Sequence, residues 1–165
     1  MSTRTSHLYI VRHAIAEDVA ADGTDASRCL TRKGRRRFER LVRRLCRAGM
    51  ELDLIATSPL VRTRETAALL AEGLPGQPPV VVVDALAPGS DRKRVVEWTI
   101  GQDAGRVAWV GHAPCVGRLV AASIGDASAW VRMEKGAVAS ISCPDGLGQP
   151  GELEWLVMPD LFRRR

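Results

Sequence analysis

Short apolar runs alternate along this chain with segments in which apolar residues recur every three or four positions. His7–Val11, Leu52–Ala56, Val80–Val83 and Arg106–Val110 have the length and the branched or aromatic content of strands. Arg35–Ala48, Val61–Glu72, Asp91–Ile100 and Val116–Ile124 carry the helical period instead. It is clearest in the first of these, where Phe38, Leu41, Val42 and Leu45 stand at i, i+3, i+4 and i+7 and make one stripe. Two further apolar runs, Ala137–Ser142 and Leu153–Met158, follow with only the turn Gly146–Gly151 between them, so they are expected to pair as a hairpin. Asp18–Arg28 and Gly73–Pro79 are polar or rich in Gly and Pro and read as loops. Strands alternating with amphipathic helices predict an α/β fold, a three-layer α/β/α sandwich around a mostly parallel six-stranded sheet.

With 165 residues and 17.9 kDa, the expectation is one domain over residues 1–165. Hydrophobic residues at 45% and charged residues at 26% exclude a disordered chain. No apolar run approaches the ~20 residues of a membrane span. The N-terminal run Leu8–Val11 meets Arg12 and His13 at once, which is wrong for a signal peptide, so no membrane partner is expected. Cys29, Cys46, Cys115 and Cys143 include no CxxC pair, which excludes a zinc ribbon or a disulfide framework and makes a cytoplasmic, reducing compartment the expectation. The net charge of +5 and a pI near 9.5 favour anionic partners: phosphate esters, acidic proteins or nucleic acid. Arg36, Arg40, Arg43, Arg44 and Arg47 line the faces of their helix away from the apolar stripe and read as a solvated surface. No aromatics interleave with them, so base stacking is not expected and nucleic acid is a poor candidate partner.

Three short motifs begin where predicted strands end: Arg12-His13, Ser58-Pro59-Leu60-Val61-Arg62 and Gly111-His112-Ala113-Pro114. Ligands of open α/β sheets bind beyond the carboxyl ends of the strands. If these strands are neighbours, Arg12, His13, Arg62 and His112 share one pocket. Two guanidiniums and two imidazoles around a cavity suit phosphoryl chemistry. The forks match phosphate oxygens, one imidazole can attack phosphorus, and the other can donate to a non-bridging oxygen. Nearby cations also help keep the attacking imidazole neutral. Plainer readings stand beside this one: histidines at strand ends are often structural, and Ser58-Pro59 can open a helix as N-cap and first residue. Cys29 and Arg35 match C-x5-R of cysteine-dependent phosphatases, but Leu30, Thr31, Arg32 and Lys33 are bulky where a phosphate loop needs small residues. Cys115 lies close enough to His112 in sequence for a redox or inhibitory role to stay open.

The chain resembles the histidine phosphatase superfamily, of phosphoglycerate mutase-like fold, and within it the SixA-type phosphohistidine phosphatases. The residues that carry the resemblance are LYIVRHAIAED, CLTRKG, SPLVRTRETA, LAPGSD, WVGHAPCVGRLVA, KGAVASI and LEWLVMP, in the family's order along nearly the whole chain. The resemblance implies that His13 is the phosphorylated nucleophile, that Arg12 and Arg62 hold the phosphate, and that His112 is the second catalytic histidine of the same pocket. It implies no metal and no cofactor. Two departures matter. Ala14 stands where many members have Gly, and no Glu occupies Leu86–Asp91, where mutase-like relatives carry a general acid. Asp91, Glu17, Asp18 or no acid at all remain open for that role. Weak acid catalysis suits a phosphoramidate, because an imidazole of pKa near ~6.5 leaves far more readily than an alkoxide. Between the third and fourth strands there is room for one helix and none for a lid, and an uncovered pocket suits a side chain presented by another protein. The expected substrate is therefore a histidine-phosphorylated protein, acidic by charge complementarity. A small-molecule phosphomonoesterase is the alternative, and a phosphate- or nucleic-acid-binding module is the non-enzymatic one.

Overall fold

The computed structural model describes residues 6–159. In chain order the elements are β1 (His7–Arg12), α1 (Arg32–Arg47), β2 (Leu54–Thr57), α2 (Val61–Glu72), β3 (Val80–Val82), α3 (Arg92–Ile100), β4 (Arg106–Gly111), α4 (Cys115–Ser123), β5 (Val138–Ser142) and β6 (Glu152–Val157). A single 3-10 turn, Asp84–Leu86, precedes α3. The six strands form one sheet in the order β3-β2-β4-β1-β5-β6. β1, β2, β3 and β4 are mutually parallel, and β5 runs against β1 and β6 on either side of it. The expected hairpin is thus formed, with a bulge between Ser140 and Ile141.

Chain direction explains the layers. From β1 the chain steps outward through β2 to β3, then returns to insert β4 between β2 and β1. Right-handed crossovers put the helices of the outward steps on one face and those of the return on the other. α1 and α2 accordingly pack on the face of Tyr9, Val11, Ile55 and Val110. The opposite face holds Leu8, Ile10, Trp109 and the α3 and α4 residues Val95, Val116 and Leu119. Successive residues of β1 therefore point into two different cores, and all four of Leu8–Val11 are buried. Each such side chain contributes roughly 1.5–3 kcal/mol of burial free energy. β3 is one of the two edge strands, and its three valines stay partly exposed.

α1 starts one turn earlier than its periodicity predicts. Thr31 is its N-cap, its hydroxyl accepting from Gly34 N at 2.9 Å. Gly34 sits in that first turn against the Ile15 carbonyl, where a Cβ would lie 2.2 Å from the oxygen. Thr31 N donates to the same carbonyl at 2.9 Å. The N-terminus of α1 is thereby fastened to the loop that follows β1. α3 begins similarly, with Asp91 as its N-cap accepting from Arg94 N at 3.2 Å. β2 begins at Leu54 rather than Leu52, because the Asp53 carboxylate binds the backbone of Gly105 and Arg106 and fixes the chain ahead of the ladder.

Candidate active site

β2, β4 and β1 lie side by side, so the three motifs at their ends meet. Arg12, the last residue of β1, is in register with Gly111, the last residue of β4. The next residues, His13 and His112, face each other with ring centroids 5.4 Å apart and planes inclined at 54°. They are 6% and 4% exposed, and Arg62, on the first turn of α2, is 4% exposed. The charges of Arg12 and Arg62 both act on both imidazoles. The structure therefore brings together all four residues that the sequence singles out.

Hydrogen bonds assign the nitrogens. His13 Nδ1 lies 2.7 Å from its neighbour's carbonyl, Ala14 O. A carbonyl only accepts, so Nδ1 carries the proton and a neutral His13 has its lone pair on Nε2. Burial depresses the pKa of His13 to about 3. The charges of His112, Arg62 and Arg12 add to that fall, and the bond to Ala14 O opposes it. His112 is lowered to about 4, first by burial and then by Arg62. His112 Nε2 lies 2.8 Å from Ser58 Oγ. Among the described residues the other polar contact of that hydroxyl is a bond it accepts from Leu60 N at 3.4 Å, so its own proton has no acceptor other than Nε2. His112 then carries its hydrogen on Nδ1, a buried atom with no partner among the described residues.

The two guanidiniums are held from behind. Arg12 Nη1 donates to Met133 O at 2.8 Å. Arg62 donates through Nη1 to Asp25 O at 2.7 Å and through Nη2 to Asp25 Oδ2 at 2.9 Å. The Arg62 hydrogen bond is the main cause that lowers the Asp25 pKa. Among the described residues the Nε atoms of both arginines are buried without a partner, like His112 Nδ1. An unsatisfied buried donor costs about 1–3 kcal/mol, and three around the same two imidazoles are what an oxyanion would satisfy. Thr66 ties the loop after β1 to α2: its hydroxyl accepts from Ala14 N at 3.1 Å and donates to Arg62 O at 2.7 Å. Ala14 is itself buried in the core beneath, so its methyl is packed where a glycine would leave a gap.

Other expectations resolve differently. Ser58-Pro59 does not open α2; Leu60 is the N-cap, and Ser58 serves His112 instead. Asp91 is engaged as the α3 cap, and Glu17 and Asp18 are exposed in the loop after β1. The C-x5-R pair is no phosphate loop, since Arg32–Arg35 are already helical and Arg35 pairs with Glu65. Cys115 Sγ accepts from Gly89 N at 3.3 Å, which ties the loop ahead of α3 to the start of α4. Sequence reasoning missed Asp25, Thr66 and the Met133 carbonyl. Asp25 is one of several acids in an aperiodic loop, and a backbone carbonyl leaves no mark in a sequence.

Comparison with known proteins agrees with this geometry. Residues 8–88 match the histidine phosphatase superfamily (branch 1). An uncharacterised protein of Picosynechococcus sp. is 39% identical over 114 residues, covering 67% of this chain and 68% of that protein. Among solved structures, the protein histidine phosphatase SixA complexed with tungstate superposes with a TM-score of 0.83 at 23% identity, over 95% of this chain and 99% of that one. The alpha-ribazole phosphatase from Shigella flexneri gives 0.69 at 18% identity, over 93% and 96%. A strand order that gathers two histidines and two arginines at one sheet edge, and the match over residues 8–88, lead to the same place: the chain belongs to the histidine phosphatase superfamily, branch 1.

Proposed function

We propose that the protein is a phosphatase that removes phosphoryl groups from phosphohistidine on a protein substrate, through a covalent intermediate on His13. The observation that carries this reading is the fixed tautomer of His13. Nδ1 is held on Ala14 O, and burial with two neighbouring guanidiniums keeps Nε2 unprotonated at neutral pH. In the first step the Nε2 lone pair forms a bond to phosphorus as the bond from phosphorus to the substrate imidazole breaks. That leaving ring, protonated on its other nitrogen, departs neutral. Arg12 Nε, Arg62 Nε and the hydrogen on His112 Nδ1 supply donors for the non-bridging oxygens, whose negative charge they offset. In the second step water attacks phosphorus, the bond to Nε2 breaks, and the water proton leaves with the phosphate.

Among the described residues no carboxylate is hydrogen-bonded to either imidazole, and Asp25 is committed to Arg62, which favours a leaving group that needs little protonation, hence phosphohistidine over alkyl esters. The fold likeness to SixA, a protein histidine phosphatase, supports the same choice. The likeness to an alpha-ribazole phosphatase supports a small phosphomonoester as the second reading. Phosphate release from a histidine-phosphorylated protein, measured beside p-nitrophenyl phosphate for wild type and His13→Ala, decides between them. The expected result is preference for phosphohistidine and a loss of at least a thousandfold on both substrates in the variant. Faster turnover of the monoester would move the substrate to the second reading, and activity surviving in His13→Ala would overturn the mechanism.

A further inference from the structure

Outside the catalytic cluster, the most chemically specific feature is a cleft of about 250 Å³ between the N-terminal turns of α3 and α4. Arg92 from α3 and Arg118 from α4 line it, with Ser90 and Cys115 at its edge. α4 follows β4, whose carboxyl end leads to the catalytic pocket, and α3 follows β3, which runs parallel to β4 in the same sheet, so the cleft opens on the same rim. Cys115 closes the turn that begins at His112, where Val116 N donates to His112 O at 2.9 Å. Residues three apart in such a turn stand about 5–6 Å apart, and Arg118 is roughly one turn, about 5.4 Å, further on. A ligand reaching from His112 to Arg118 therefore spans only a few residues of peptide.

The charge in this cleft is unbalanced. Among the described residues neither Arg92 nor Arg118 makes an ion pair with a carboxylate. The carboxylates nearest in sequence are engaged elsewhere: Asp91 caps α3, and Asp126 accepts from Ser128 and Ala129. Arg92 Nε is buried with no partner among the described residues. Arg118 is held open by stacking, its guanidinium carbon 4.2 Å from the ring centroid of exposed Trp130. Stacking uses the face of the guanidinium and leaves its in-plane donors for a planar anion. The volume lies below the ~300–1,000 Å³ of pockets that enclose a whole small molecule, and fits one acidic side chain.

We infer that this cleft is a specificity subsite, in which Arg92 and Arg118 receive the carboxylate of an Asp or Glu lying within a few residues of the phosphorylated side chain. The inference rests on the reading of the protein as a phosphatase acting on protein substrates. It adds a recognition element to a pocket whose catalytic donors are all committed to the phosphoryl group.

Two histidine-phosphorylated peptides that differ only in flanking Glu or Gln, with p-nitrophenyl phosphate as the reference, provide the test. Wild type is expected to favour the Glu peptide about tenfold in kcat/KM, chiefly through KM. Arg92→Gln and Arg118→Gln should each bring that ratio close to one and leave p-nitrophenyl phosphate hydrolysis within twofold of wild type. Equal kcat/KM for the two peptides in wild type would overturn the inference. So would variants that depress all three substrates alike. Calorimetry with the unphosphorylated peptides separates this outcome from failure of the phosphatase reading. Wild type should bind the Glu peptide at least fivefold more tightly than the Gln peptide, and Arg118→Gln should remove the difference. A wild type that discriminates between the peptides without hydrolysing any substrate would retain the subsite and discard the activity; one that binds both equally would discard the subsite.

Discussion

Two imidazoles taken out of water beside two guanidiniums lose their affinity for protons, and stability must register the loss. The folded-state values are about 3 for His13 and about 4 for His112, against about 6.5 in an unfolded chain. Between these limits the unfolded state binds more protons than the folded one, so stability rises with pH through that window and is level above it. Acidification from pH 7 to pH 5 should cost about 2 kcal/mol for each imidazole, and His13→Gln, which titrates nowhere in that range, should recover its share. Urea melts of both proteins at the two pH values measure this, and identical pH slopes would contradict it. For the same reason the acid limb of kcat/KM for the free enzyme should lie well below pH 6 once ionisation of the substrate is subtracted. Asp25 belongs to this scale as well. Its carboxylate and its carbonyl together orient Arg62, although its own side chain is largely exposed. Asp25→Ala keeps the carbonyl bond and loses the charge-assisted one, so kcat/KM for p-nitrophenyl phosphate should drop about tenfold. Asp25→Asn, which retains an acceptor, should restore most of it; an unchanged rate in Asp25→Ala would show that the carbonyl suffices.

At the scale of elements, the contact between α1 and the loop that carries His13 is the one to probe. Gly34→Ala ordinarily favours a helix by roughly 0.5–1 kcal/mol. Here the added Cβ would meet the Ile15 carbonyl at 2.2 Å, and that carbonyl also accepts from Thr31 N. Steric displacement of a backbone acceptor outweighs the propensity gain, so a net loss of about 1–3 kcal/mol is expected, with a fall in kcat as the loop shifts under His13. A variant at least as stable as wild type in a urea melt would show that the loop yields freely. The same contact explains what the sequence could and could not reveal. Periodicity located α2 at Val61–Glu72 and placed the buried stripe of α1 correctly, because long amphipathic segments carry their own signal. It missed the first turn of α1, because the residue at its centre is a glycine chosen for close approach rather than for helicity. Arg12, His13 and His112 were legible because each sits where an apolar run ends, and Arg62 because its motif begins where another ends, positions that do not depend on distant contacts. Asp25, Thr66 and Ser58 act through partners 37, 52 and 54 residues away, and no local pattern encodes such pairings.

For the whole molecule, strand order and net charge act together on the approach of a substrate. Inserting β4 between β2 and β1 puts Arg12, His13 and His112 at the middle of one sheet edge, and the N-terminal turns of α3 and α4 flank them on that rim. α1 presses its first turn against the loop after His13 and carries Arg36, Arg40 and Arg43 on its exposed side. If the substrate is the acidic phosphoprotein proposed above, a net charge of +5 will attract it before contact and raise the association rate without changing the chemistry. Long-range attraction of this kind fades as the Debye length shrinks from about 30 Å at 0.01 M salt to about 10 Å at 0.1 M. Accordingly, kcat/KM for an acidic histidine-phosphorylated protein should fall about tenfold between 0.01 and 0.2 M salt, while that for p-nitrophenyl phosphate changes less than twofold. Replacing Arg36, Arg40 and Arg43 together by Gln should lower the low-salt rate and flatten the slope, with p-nitrophenyl phosphate again unaffected. A slope that the triple substitution leaves unchanged would place the steering field elsewhere on the rim, with Arg92 and Arg118 next to be tested. A rate independent of salt in wild type would mean that encounter does not limit the reaction, and that discrimination between substrates arises wholly from contacts made after docking.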